Sequence, residues 1–145
     1  MKSLSAKFGI IVLFIGLGIF AYGEGWGASW KLYAFDVEKT FFYDAQSVII
    51  PSKNAEWEIV KVCTKENFTS KGVMRAVKEF GKKYENLSYR ESLMEINCGG
   101  KMYRVLSSSF YAHGGEVVYS SSSPENWQPI VSKSASEELY KALCK

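Results

Sequence analysis

Ser88-Tyr89-Arg90-Glu91-Ser92-Leu93-Met94-Glu95-Ile96-Asn97-Cys98-Gly99-Gly100-Lys101-Met102-Tyr103-Arg104-Val105-Leu106-Ser107-Ser108-Ser109-Phe110-Tyr111 is two β-prone runs joined by a turn signal. Ser88 to Asn97 and Lys101 to Tyr111 flank Cys98-Gly99-Gly100, the pattern of an antiparallel hairpin with a short glycine-bearing loop. Outward from this hairpin the period of two recurs. Upstream, Trp30, Leu32 and Ala34 alternate with Lys31 and Tyr33. Thr40 to Tyr43 and Ser47 to Ile50 then form two short β-prone pieces around Asp44-Ala45-Gln46. Pro51-Ser52-Lys53-Asn54 reads as a turn, and Ala55 to Phe68 as a longer strand rich in β-branched residues. Downstream, His113-Gly114-Gly115 leads into a last strand, Glu116 to Ser121. Spacings this short leave no room for crossover helices between most strands, so the sheet is expected to be antiparallel and meandering.

Two segments depart from that period. Between Lys71 and Leu87 the apolar residues Val73, Val77, Phe80, Tyr84 and Leu87 recur at three and four. Lys71, Arg75, Lys78 and Lys82 fall on the opposite face. This predicts an amphipathic helix with a basic stripe, in which Gly81 costs about 1 kcal/mol. Near the C-terminus, Ser134 followed by Glu137 is a capping box that opens a helix through Leu143, with Leu139 and Leu143 toward the sheet. The expectation is an α+β domain: a single antiparallel β-sheet of about six strands, a C-terminal helix packed on it, and a short helix between strands.

At the other end, Lys2 and Lys7 precede an uncharged apolar run, Phe8 to Phe20, followed by Ala21-Tyr22-Gly23. An apolar core of about 13 residues is short of the roughly 20 that a spanning helix needs, and small-x-small suits signal peptidase. Residues 1–23 are therefore read as a cleavable signal peptide, with the mature chain starting near Glu24 and residues 24–145 forming one domain. Removing Lys2 and Lys7 takes the balance from 18 basic and 15 acidic residues to 16 and 15. A nearly neutral chain carries no general attraction for nucleic acid or for a membrane surface. The folded part is expected to be exported, to the periplasm, the outer surface or the extracellular space.

Three cysteines in an exported chain allow one disulfide in three pairings. Cys98 lies in a turn and Cys144 is the penultimate residue, so a bridge between them closes a loop of about 45 residues and restricts the unfolded chain by a few kcal/mol. That pairing is preferred. It leaves Cys63, within an alternating run, as a buried small hydrophobe.

Few residues could carry chemistry. His113 is the only histidine, which excludes a metal site built on two or three of them. Serine is abundant, but no nucleophile-elbow pattern accompanies it. The acidic pairs Glu56/Glu58 and Glu91/Glu95 read as solvated strand faces rather than as an acid and a base. There is no phosphate-binding glycine loop. No catalytic residue, cofactor or metal is assigned.

The hairpin from Tyr89 to Cys98, then Lys101-Met102-Tyr103-Arg104, Gly115-Glu116-Val117-Val118-Tyr119-Ser120, Trp127-Gln128-Pro129-Ile130 and Glu138-Leu139-Tyr140-Lys141-Ala142-Leu143-Cys144 occur in an order that resembles the bacterial surface-adhesin protein E family. Trp30 and Phe42-Tyr43-Asp44-Ala45-Gln46-Ser47 extend the resemblance over nearly all of the mature chain. It implies an antiparallel sheet with a helix packed on it and a cysteine pair at Cys98 and Cys144. It also implies an adhesin-like binding function, the best-known member of that family being a lipoprotein that holds matrix and serum proteins such as laminin and vitronectin. Cys63 departs from the family's pattern, and so does the lack of a cysteine near the signal cut to carry a lipid.

Three functions are weighed. The first is a non-enzymatic exported binding module that engages a protein or an anionic polysaccharide of the envelope, drawing on nine tyrosines and four tryptophans and on the basic stripe. The second is a structural or assembly subunit forming a homo-oligomer through its sheet edges. The third is a small hydrolase or ligand carrier.

Overall fold

The hairpin at the centre of the sequence is also the centre of the sheet. In the computed structural model, which describes residues 28–53 and 58–144, β5 (Leu87–Asn97) and β6 (Met102–Ala112) pair antiparallel along their whole length. Lys101, with φ of +52°, closes the loop after the two glycines. The expected signal segment, the mature start near Glu24 and Glu56 of the first acidic pair lie outside the described residues.

Four further strands precede the hairpin and two follow it: β1 (Trp30–Phe35), β2 (Lys39–Asp44), β3 (Ile49–Lys53), β4 (Glu58–Phe68), β7 (Val117–Ser121) and β8 (Gln128–Pro129). Their spatial order is β1-β2-β4-β5-β6-β7. β3 lies beside β2 on the same edge of β4, and β8 lies beside β7 on the same edge of β6. Eight strands thus fill six positions, all antiparallel. Pro51 to Lys53, expected as a turn, belongs to β3. Between β2 and β3 a single 3-10 turn, Ala45–Ser47, is capped by the Asp44 carboxylate, which accepts from the Gln46 N–H at 3.0 Å.

Cross-strand partners share a face, so the pairing register defines the core. On one face, Val60 and Val62 of β4 meet Ile96 and Met94 of β5, and Met94 meets Val105 of β6. Over them lies α2 (Ala135–Leu143), whose Leu139 is fully buried in this cluster. The Cys98–Cys144 disulfide, with Cα atoms 5.5 Å apart, ties the end of α2 to the hairpin turn. Ser134 caps the helix as its sequence predicts, accepting from the Glu137 N–H at 3.2 Å. The returning Glu137 carboxylate reaches the N–H of Lys133, one residue before the cap.

The helix between strands, α1 (Ser70–Phe80), covers the other end of the same face. Val73, Ala76 and Val77 pack with Tyr84, Leu87, Phe68 and Phe110. It is shorter than its apolar period suggested. Gly81 takes φ of +111°, a conformation open to glycine at little cost, and ends the helix. Lys82–Tyr84 form a separate 3-10 turn, and Leu87 already belongs to β5. Phe80, expected on the apolar face, is therefore 63% exposed.

The opposite face is solvated and bears paired charges and rings. Lys61, Glu95 and Arg104 align across β4, β5 and β6, and Arg104 donates to Glu95 at 2.9 Å. Lys65 stands over the rings of Trp30 and Tyr89. Cys63, expected in the core, alternates out to this face because Val62 and Thr64 point inward. It is half-buried and unbridged, and its N–H donates to Ser47 Oγ at 2.9 Å.

Candidate binding cleft

Between the two helices part of the inner face of the sheet is left open, and two adjacent cross-strand rows run through that region. One is a row of hydroxyls: Tyr43 pairs with Thr64, Thr64 with Ser92, Ser92 with Ser108, and Ser108 with Ser121. The next places a charged pair between aromatic rings. Phe41 pairs with Glu66, Glu66 with Arg90, Arg90 with Phe110, and Phe110 with Tyr119. Above this row a cleft of about 700 Å³ opens between α1 and β7, and a second hollow of about 250 Å³ continues toward α2. The larger volume is in the range of small-ligand sites.

Glu66 and Arg90 form the floor shared by both hollows. Their side chains are 15% and 19% exposed. Burial at that level makes an unmet hydrogen bond costly, about 1–3 kcal/mol for each donor or acceptor. Arg90 is nevertheless poorly satisfied. Its Nη1 lies 3.5 Å from Glu66 Oε2, its Nη2 lies 3.4 Å from Ser108 Oγ, and its Nε is buried with no partner. The guanidinium rests over the Phe110 ring, 5.1 Å from its centroid. Glu66 Oε1 has Lys39 Nζ at 3.2 Å as an ion pair, without hydrogen-bond geometry. Two cations thus face one carboxylate at the floor.

The cleft walls are aromatic. Tyr84 meets Phe110 edge-on at 5.9 Å, Tyr119 tilts against Phe110 at 6.3 Å, and Lys83 Nζ lies over both tyrosine rings. On the α2 side stands Tyr33. Burial pushes its phenol well above the ordinary value; the Glu66 carboxylate adds to the shift, and Arg90 opposes it.

The residues predicted as a basic stripe lie outside this floor. Lys71, Arg75 and Lys78 are exposed on α1, and Lys82 is exposed in the turn that follows it. Arg75 is neutralised by Glu38 at 2.7 Å and Glu79 at 2.8 Å, so the stripe is not four free charges. No ion pair joins Lys71, Lys78 or Lys82 to an acid among the described residues. His113 is exposed in the β6–β7 turn, where its N–H bonds the Asn86 carbonyl. Glu95 is committed to Arg104 on the outer face.

Sequence reasoning did not single out Glu66 or Arg90. A signal was present, since both fall in the inward phase of strands whose inward positions are otherwise apolar or hydroxyl-bearing: Val60, Val62 and Thr64 on one, Ser92, Met94 and Ile96 on the other. A charge in that phase of an alternating strand marks a buried polar site.

The fold and cleft define a small disulfide-tied α+β domain in which two helices flank an open polar strip of one sheet face. A family model described as surface-adhesin protein E matches residues 30–145, and the chain belongs to that family. No curated protein and no solved structure matches it.

Proposed function

We propose that this chain is an exported, non-enzymatic binding protein that engages a protein or polysaccharide partner at the cell envelope. The carrying observation is the Arg90–Glu66 floor: a buried guanidinium with unused donors, set between rings under an open cleft. Buried polar groups are ordinarily satisfied, and an under-used arginine fork is suited to a ligand's acceptor atoms. Membership in the adhesin family supports the same reading. The Cys98–Cys144 bridge suits an oxidising compartment outside the cytoplasm, in keeping with cleavage of residues 1–23. Lys71, Lys78 and Lys82 add an exposed positive face that would draw an anionic partner toward the envelope.

The test is retention of the purified mature protein on envelope fractions. Retention is expected at low salt and should fall as the Debye length shrinks from about 10 Å at 0.1 M to about 3 Å at 1 M. Reversing Lys71, Lys78 and Lys82 to glutamate should weaken it further. A parent protein that is not retained at any ionic strength overturns the reading. N-terminal sequencing of the exported form should begin near Glu24; a start at Met1 would remove the signal-peptide assignment.

A second reading, self-association through a sheet edge, is favoured by β1. Among the described residues no strand pairs with its outer edge, and Leu32 and Phe35 are 53% and 73% exposed there.

A further inference from the structure

The cleft's chemistry narrows the partner class, on the assumption that the binding reading above holds. We propose that the cleft between α1 and β7 takes one uronic-acid residue of an acidic polysaccharide, its carboxylate on Arg90 and its ring against the exposed Tyr119.

Three observations meet in that ligand. The floor holds a guanidinium whose Nη1 and Nη2 contacts, at 3.5 and 3.4 Å, are at the outer limit of hydrogen bonding, so a planar carboxylate on that edge gains charge-assisted bonds stronger than those the protein makes, while Nε is itself buried away from the cleft. Lys39 and Arg90 both pair with Glu66, while Glu125 lines both hollows and Lys83 the larger one, so the cations at the floor are balanced only over the whole lining and leave room for no more than a single added carboxylate. The walls combine ring faces with hydroxyls: Tyr119 is 47% exposed beside Phe110, and Ser107, Ser108, Ser121 and Ser123 line the same cleft. A pyranose presents that mixture, with C–H groups on its faces and hydroxyls around its edge. A fatty chain would leave the hydroxyls unpaired. A densely charged polyanion fits poorly, because the cleft lining carries four acids against four bases. One charge per ring suits that balance.

The probe is a short oligogalacturonate, titrated calorimetrically into the full mature protein, with its methyl ester as the uncharged control. Binding by the parent is expected, with the ester about tenfold weaker or worse, the scale of losing a charge-assisted bond. Arg90→Met should lose binding to a similar degree. Because Arg90 is buried, its fold is checked by thermal melting, and Tyr119→Ala at the exposed rim serves as the second variant, also expected to bind more weakly. The Lys71, Lys78 and Lys82 reversal, even where it lowers the affinity for the anionic probe overall, should keep the preference for the acid over its methyl ester, which separates the cleft from non-specific attraction. The proposal is overturned if the parent does not bind the oligogalacturonate, if the ester binds equally well, or if folded Arg90→Met and Tyr119→Ala bind like the parent. A parent held by envelope fractions but blind to the probe defeats only this inference and points to a protein partner. Failure of both assays defeats the binding reading as well.

Discussion

Gly72 shows how a single residue sets the seat of α1 on the sheet. A Cβ there would fall well inside contact distance of the Glu38 carbonyl oxygen, which already accepts the Thr69 N–H at 2.9 Å and cannot withdraw without breaking that bond. Gly72→Ala gains about 1 kcal/mol of helix propensity. Overpacking against fixed backbone costs about 1–3 kcal/mol and the close approach favours the upper end, so a net loss of stability is expected. A urea midpoint at or above the parent's would contradict this. Tyr33 ties stability to pH. Its folded-state pKa is raised, first by burial and then by Glu66, whereas the unfolded phenol titrates near 10. Above about pH 10 the unfolded chain loses this proton first, the folded state binds more protons, and stability falls as pH rises. Tyr33→Phe removes that contribution. Denaturation midpoints taken from about pH 9 to pH 11 should therefore decline less steeply in the variant than in the parent.

Elements were legible where local chemistry settles them. The central hairpin follows from its turn and alternation, and α2 from Ser134 and Glu137, whose side chains make the expected terminal bonds. Ser134→Ala should cost about 1 kcal/mol, measured by thermal or urea unfolding with the disulfide intact. α1 was legible in its face but not in its length, because the apolar period runs on through Tyr84 and Leu87 while the chain leaves the helix at Gly81. Tyr84 and Leu87 still meet Val73 and Val77, from a turn and a strand rather than from further helix. The disulfide operates at the same scale, since it fastens α2 to the hairpin over a separation of 46 residues. Replacing Cys98 and Cys144 together by alanine prevents either thiol from pairing with Cys63. It should cost about 2–4 kcal/mol, and amide exchange should quicken in α2 before β4 and β5. Uniform quickening would instead mean that α2 and the sheet open as one unit.

For the whole molecule, alternation predicted the sheet and its antiparallel sense, but it could not show that both helices share one face. That face became readable only from the register, which lines up Glu66, Arg90 and Phe110 from three separate strands. No local pattern connects residues 66, 90 and 110, whereas a helical stripe is visible within a single segment of chain. The outer edge of the sheet was equally hidden. A register shift between Leu32 and Ala34 breaks the alternation of β1 and turns Tyr33 into the core, where its ring meets Phe41 and Tyr43. Leu32 and Phe35 are left exposed on this edge strand, beside the start of α2. Edge strands are usually blunted by charge, proline or short length, and β1 has Lys31 as its one charge over six residues. Antiparallel pairing of β1 with the β1 of a second copy would bury both side chains and join two sheets into one about a two-fold axis. Sedimentation over a concentration series should then show a dimer for the parent and a monomer for the Leu32→Lys/Phe35→Lys variant. The melting of the dilute variant should stay within about 0.5 kcal/mol of the parent's, as expected for exposed positions. A parent that stays monomeric throughout, or a variant that dimerises as readily, would leave the β1 edge free for a different partner.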